Sequence, residues 1–270
     1  LNVLGDNHPD VASTYNNMGI VCSDKGELHQ ALEYYNKSPK INLKILGENH
    51  REVASIYNNM GVVYKEKYEL DKAIDLYNRS LGINLNTLGE NDVIVGMCYT
   101  HLSENYAIKG QSDKAYEGHM KALSIYTEKL CEKHLFVAEC YWYLGVLYAD
   151  KQELDRALSY HEKSLSIRQG PTGESSHWTA ESYHDIGGVY QHKGDLEPAR
   201  KNLRISLEMR HKTLGEIHYK VADTLHSIGL LDESEEKLGE ALENFQKARD
   251  DGTWVLIIQR PESRWRAWRD

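Results

Sequence analysis

Proline is scarce in this chain, at five residues in 270, and no stretch approaches about 18 consecutive apolar residues. Those two absences exclude collagen, a disordered polymer and a membrane-spanning helix. Positive charge is also in deficit. Lys plus Arg total 32 against 41 Asp plus Glu, a formal net charge of −9, whereas a footprint for a phosphate backbone requires the opposite sign. Nucleic acid, including RNA read by a helical repeat, is therefore set aside as a partner. The four cysteines, Cys22, Cys98, Cys131 and Cys140, form no CxxC pair and read as reduced, small apolar fillers of a cytoplasmic protein. Catalytic signatures are missing as well: no G-x-x-x-x-G-K, no G-x-S-x-G and no H-E-x-x-H occurs. The opening LNVLG lacks an initiator Met and reads as the end of a helix, so a fragment of a longer protein is expected.

What the sequence does have is self-similarity. Leu-Gly stands at Leu4-Gly5, Leu46-Gly47, Leu88-Gly89 and Leu214-Gly215, with decayed copies at Leu130-Cys131 and Thr172-Gly173, always 42 residues apart. In that register Ala31, Ala73, Ala115, Ala157, Ala199 and Ala241 align without exception. Two further columns stay small: Gly19, Gly61, Ser103, Gly145, Gly187 and Gly229, and then Ser38, Ser80, Ala122, Ser164, Ser206 and Ala248. The expected copies are 6–47, 48–89, 90–131, 132–173, 174–215 and a degenerate 216–250, preceded by residues 1–5 of a truncated copy and followed by a non-repeat tail, 251–270.

Each copy reads as a helix hairpin. Pro9 suits a first helical position, Val11, Tyr15, Met18 and Cys22 recur at spacings of three and four, and Gly26 suits the stop. A second helix follows, with Leu28, Ala31, Leu32, Tyr35 and Ile41 apolar before Gly47. Helices approach to about 8 Å only where bulky side chains are missing at the crossing, so Gly19, Ala31 and Ser38 mark contact points. One hairpin cannot bury its own stripe, and stacking on the next one does. Pro39, where other copies have Leu, is expected to bend or fray its helix at a cost of about 3 kcal/mol. The last copy departs from the pattern, with Leu225, Asp232 and Glu236 in place of Tyr15-type, Tyr190-type and Gly26-type residues, as a terminal repeat does. The tail carries Trp265, Trp268 and four arginines; a disordered end is the expectation rather than a basic membrane or RNA segment.

Tyr57, Met60-Gly61, Tyr64, Ala73, Tyr77 and Ser80 resemble the tetratricopeptide repeat, and the long period with LGENHREVASIYNNMGVVY is similar to its kinesin light chain subfamily. The resemblance implies an all-α fold, a right-handed α-solenoid of hairpins forming an α-α superhelix. It also implies a concave groove lined by the second, fifth, sixth, ninth and thirteenth residues of each first helix, counted from the Ala12-type position. Those include Asn16 and Asn17, Asn58 and Asn59, Thr100, His101 and Glu104, Trp142 and Tyr143, and His184 and Asp185. Asparagine competes for backbone bonds and is disfavoured inside helices, so four of them in two groove columns call for a reason. An amide both donates and accepts, which suits an extended peptide backbone; alternatively the first Asn of each pair ties neighbouring helices together. Trp142 and Tyr143 are candidate anchors.

Thirteen histidines raise the question of a metal. His8, His50, His134 and His218 occupy one column directly before their first helices, which a shared turn explains, and stacked copies cannot bring them to one ion at about 2.0 Å. His184-Asp185 has no accompanying nucleophile pattern, and adjacent helical residues point about 100° apart. No cofactor, metal or catalysis is expected. The basic clamp that holds carboxylate ends of chaperone tails in this family has no counterpart at the groove positions. Kinesin light chains grip Trp-containing acidic cargo, for which this chain offers Lys65 and a neutral His101, while the acidic lining of copies four to six opposes it. The expectation is a non-enzymatic interaction scaffold holding a peptide or helix. Its most concrete version is a kinesin light chain-like cargo adaptor of a microtubule motor complex, meeting kinesin heavy chain and cargo through the full-length protein. The alternative is the recognition half of a larger signalling or sensor protein.

Overall fold

The computed structural model describes residues 8–170 and 176–250. Its helices are α1 Pro9–Asp24, α2 Leu28–Leu46, α3 Arg51–Glu66, α4 Leu70–Leu88, α5 Val93–Ile108, α6 Ser112–Lys129, α7 Leu135–Asp150, α8 Leu154–Gln169, α9 His177–Lys193, α10 Leu196–Leu214, α11 Tyr219–Ser234 and α12 Leu238–Asp250. Among the described residues there is no strand. The chain divides into two compact units, Leu1–Leu130 and Cys131–Asp270. Each holds three antiparallel hairpins stacked so that the second helix of one packs on the first helix of the next, α2 on α3 and α4 on α5 in the first unit, α8 on α9 and α10 on α11 in the second. This is an all-α, α-solenoid architecture.

The hairpin ends follow from local chemistry. His8, His50, His134 and His218 are N-caps: each Nδ1 accepts the backbone N–H two residues on, at 3.2, 3.3, 3.1 and 3.2 Å. Asp92 and Ser176 serve the same purpose at α5 and α9. The histidine column thus satisfies orphan donors of the first turn. At the hairpin tip the chain turns through a left-handed residue in every copy. Three are glycine, Gly26, Gly110 and Gly194, but Tyr68, Gln152 and Glu236 take the same turn at φ 62, 59 and 60°. Glu236 is therefore a change of residue without a change of turn.

Inside each hairpin the small columns perform distinct tasks. A Cβ added at Gly61 would lie 2.7 Å from the Tyr77 ring, and at Gly19 it would lie 2.5 Å from Tyr35. The glycine is thus the socket for an aromatic ring of the second helix. His161 fills the socket of Gly145, Leu203 that of Gly187 and Phe245 that of Gly229. His119 holds the corresponding place in the third copy, where burial pushes its imidazole down to about 4. The serine column bonds across the hairpin: Ser38, Ser164 and Ser206 donate to the carbonyls of Ala12, Ala138 and Ala180 at 2.8, 2.7 and 2.7 Å. The third copy instead has Ala122, and its Tyr126 ring lies against Gly96, the one glycine in an otherwise alanine column.

Two expectations are modified. Helix α2 runs unbroken through position 39 to Leu46, so the proline does not end it. Cys22, Cys98 and Cys140 are buried fillers, but Cys131 is exposed, in the turn after α6. It occupies the place of Gly47, Gly89 and Gly215 and shares their positive φ, at 135°. A turn residue has no core to fill, which is why the small-apolar reading fails there. Residues 1–5, Thr172-Gly173 and the tail 251–270 lie outside the described residues.

Candidate interaction face of the first helices

Successive first helices are joined by polar bonds at a separation of one period plus one residue, 43, or at 39 residues. In the first unit Asn59 Nδ2 donates to Asn16 Oδ1 at 3.2 Å, and His101 Nδ1 meets Asn58 Oδ1 at 2.8 Å. Lys65 Nζ reaches Glu104 Oε2 at 2.9 Å. In the second unit Trp142 Nε1 donates to Asp185 Oδ2 at 2.6 Å, and His184 Nε2 lies 3.3 Å from Ser227 Oγ and 3.4 Å from Asp223 Oδ2. Asn16, Asn58, Asn59, Lys65, His101, Trp142 and His184 of the expected site residues therefore take part in a helix-to-helix contact. Asn17 is exposed, and Tyr143 packs edge-on against Trp142 with ring centroids 4.7 Å apart.

These bonds define what the face offers. Asn16 and Asn58 act as ties between helices, the alternative reading of the first Asn in each pair. Asn59 spends one N–H on Asn16, and an amide has a second N–H and an acceptor oxygen. Around these amides stand exposed Ser13, Ile20 and Ser55. Lys65 is matched by Glu104, so its charge is already answered within the protein. Burial pushes the His101 imidazole below its ordinary range, which keeps it neutral at pH 7. Thr100, expected on the groove, is buried instead, with Oγ1 3.3 Å from Tyr126 Oη. The tyrosine that Gly96 admits reaches far enough along the hairpin to cover it.

Sequence reasoning missed three buried cations, Arg168, Arg200 and Arg210. Arg168 Nη1 donates to Trp178 O at 3.0 Å and to Ser182 Oγ at 2.8 Å, while its guanidinium lies 5.6 Å from the Trp142 ring centroid and 5.5 Å from that of Trp178. Arg210 Nη1 donates to Lys220 O and Thr224 Oγ1, both at 2.6 Å, and approaches Asp223 at 3.3 Å. Each bolts a second helix to the first helix that follows. The signal was in the columns: the column of Asn42 reads Asn42, Asn84, Tyr126, Arg168, Arg210, and the residue fourteen further on changes with it, Ile56, Cys98, Cys140, Ser182, Thr224. One of the last copy's departures, Asp232, has the same origin. Arg200 replaces a leucine and is answered by Asp232 at 2.6 Å and Glu235 at 2.6 Å.

Among the described residues no helix is long and apolar enough to cross a membrane. These faces have polar groups, an edge-on aromatic pair in the second unit and no described cluster with metal-ligand geometry, so their chemistry is that of hydrogen bonding and apolar contact.

Comparison with solved structures finds the same fold. BtubC (BKLC) from P. vanneervenii matches with a TM-score of 0.67 at 21% identity, over 77% of this chain and 82% of that one. A kinesin light chain with nearly identical TPR-like repeats from Podosopora anserina matches with a TM-score of 0.62 at 20% identity, over 76% and 98%. The apo form of RapI matches with a TM-score of 0.67 at 14% identity, over 90% and 98%. No curated protein gives a significant match. The family model described as tetratricopeptide repeat aligns with residues 1–44, 10–86, 95–170 and 178–250. With that model spanning most of the sequence, and hairpins of the matching kind in both units, the chain belongs to the tetratricopeptide repeat family.

Proposed function

We propose that this chain is a non-enzymatic scaffold that holds an extended segment or a helix of another protein against its first helices. The observation that carries this reading is the amide row. Asn16 and Asn59 share one bond and Asn58 is tied to His101, while Asn17 is exposed and Asn59 keeps one N–H and an acceptor oxygen beyond its one bond. Such a row is matched to a peptide main chain whatever its side chains. In the second unit Trp142 and Tyr143 supply apolar area. Because the indole N–H is committed to Asp185, Trp142 contributes ring surface rather than a hydrogen bond.

The finer version is a cytoplasmic kinesin light chain-like cargo adaptor that works with kinesin heavy chain, supported by the likeness to BKLC and to the Podosopora anserina kinesin light chain. The pairing of Lys65 with Glu104 argues that its cargo is not chiefly acidic. The second version is the recognition half of a larger signalling or sensor protein, and the likeness to RapI is one of fold alone. The six-copy tiling from residue 6 to 250 is part of both.

The test is an array of overlapping peptides probed with the wild type, Asn59→Ala and Asn16→Ala. Losing one backbone-directed hydrogen bond is worth about 1 kcal/mol, so Asn59→Ala binds its peptides about five-fold more weakly. Asn16→Ala breaks the same internal tie but leaves Asn59 in place, and binding is retained. Equal binding of every captured peptide by wild type and Asn59→Ala removes the amide row from the account.

A further inference from the structure

Helix α9 carries two glycines in succession, and only the first has a steric reason. A Cβ on Gly187 would lie 2.8 Å from Leu203 Cγ, whereas a Cβ on Gly188 meets nothing within 4 Å among the described residues. Glycine weakens a helix interior, so Gly188 carries a cost that the packing of this chain leaves unexplained. Gly82 of α4 has the same open space, so space alone marks no site. What distinguishes Gly188 is its place. It stands at the ninth position of a first helix, a column that reads Ile20, Val62, Glu104, Val146, Gly188 and Leu230, apolar in four of the other five copies.

In the second unit, the bonds from Trp142 to Asp185 and between His184 and Ser227 set α9 beside α7 on one side and α11 on the other. Those neighbours carry Val146 and Leu230 at the ninth position, where α9 has no side chain. Leu230 is 39% exposed, Val146 is half-buried, and Tyr143 stands one turn before Val146. The first-helix face thus has a notch, with the backbone of α9 as its floor and an apolar residue on either flank. The charge around it has one sign. Five groove positions of α7, α9 and α11 are carboxylates, Glu139, Asp150, Glu181, Asp185 and Asp223, and none is Lys or Arg. Lys220 and Arg210 answer Glu181, and Arg210 also answers Asp223. With Arg168 added to those two cations, the carboxylates still outnumber them.

We infer that the notch over Gly188 seats a bulky apolar side chain from a segment of a partner protein, and that Lys or Arg flanks this anchor in the segment. The inference rests on the reading that first helices hold such a segment, and it names what the second unit selects. The notch selects the anchor, because a side chain that enters it leaves water for contact with Val146 and Leu230. The carboxylates select the flanks, since cations beside the anchor meet an acidic rim and acidic flanks are repelled by it. The amide row of the first unit is indifferent to side chains, so the two units divide the work of holding and choosing.

The test is an array of nine-residue peptides with Trp, Leu or Ala at the centre, flanked on both sides by Arg or by Glu, probed with the 270-residue chain. The wild type is expected to capture the Arg-flanked Trp and Leu peptides about ten-fold more strongly than the Ala peptide or the Glu-flanked set. Gly188→Leu fills the notch and loses that preference. Its dichroism melt stays at or above that of the wild type, because the new side chain enters open space and the helix gains a better former. Should leucine lower the melt, Gly188→Ala repeats the test, with a raised melt and a reduced preference. Asn59→Ala, in the first unit, leaves the preference unchanged. Equal preference in the wild type and both Gly188 variants overturns the inference, and so does capture that ignores the sign of the flanks. The chain's own Arg264-Trp265-Arg266 has the chemistry of the expected segment. Capture that appears only when Trp265 and Trp268 are both replaced by alanine gives the notch to the tail and overturns the assignment to a partner. If overlapping peptides are captured with no dependence on position 188, this inference falls and the scaffold reading stands. If neither array captures a peptide, both fall.

Discussion

Replacing Arg210 by alanine is expected to destabilise the second unit by about 3 kcal/mol. Arg210 is the largest fully buried side chain in the structure, and it joins α10 to α11 through Lys220 O, Thr224 Oγ1 and Asp223. Truncation removes those bonds, opens a cavity between two helices and leaves two carboxylates, Asp223 and Glu181, facing it with less positive charge nearby. Arg210→Lys keeps the charge but cannot serve several acceptors from one planar fork, so it should fall between the two. The measurement is urea unfolding followed by tryptophan fluorescence. Among the described residues the tryptophans are Trp142 and Trp178, both in the second unit, so their signal reports that unit, whereas far-ultraviolet dichroism sees both. An unshifted fluorescence midpoint in Arg210→Ala would mean that the buried cation is incidental to the stack.

Gly61→Val is expected to cost the first unit about 3 kcal/mol. The added Cβ alone would sit 2.7 Å from Tyr77 Cε1 and 2.9 Å from its Cζ, and Tyr77 is fully buried, so the ring has no room to withdraw. β-Branching then adds methyl groups to a helix side that is already in contact. The control is Gly82, in the same unit and inside α4, where an added Cβ meets nothing within 4 Å. Gly82→Ala should stabilise by about 0.5 to 1 kcal/mol, because only the helix preference changes. Dichroism should report both shifts while tryptophan fluorescence reports neither. The cycle with Tyr77→Ala is expected to be non-additive, since the clash and the ring vanish together. Equal effects of substitution at Gly61 and Gly82 would show that the socket is not the reason for the glycine column.

The hairpin plan was legible because it is written many times over. Periods of three and four gave helices, and a strictly small column gave the crossing, since only sterics can hold glycine or serine in the same place through six different neighbourhoods. The histidine column before the first helices was legible as a turn feature, and its role as a cap follows from Nδ1 reaching the N–H two residues on. What stayed hidden were the contacts between different columns. The Asn-to-Arg change at Arg168 and Arg210 is unreadable alone, because a single charged residue on a helix is usually solvated. It becomes readable only beside Ser182 and Thr224, which lie fourteen residues further on in both cases. Thr100 was misplaced for a similar reason: its burial depends on Tyr126, and Tyr126 depends on Gly96, a chain of compensations across one copy. The amides were found by composition, but which of them are spent on neighbouring helices depends on where one period plus one residue falls, and stacking geometry decides that.

The central claim is that partners are gripped by the first helices. It is tested most directly by placing a photoreactive side chain at one position at a time and exposing the complex with a peptide captured on the array. Asn17 on α1 and Asn78 on α4 are both exposed, but they belong to a first and a second helix respectively. The account predicts covalent capture of the peptide from position 17 and none from position 78. Capture from position 78 with silence at position 17 would contradict it.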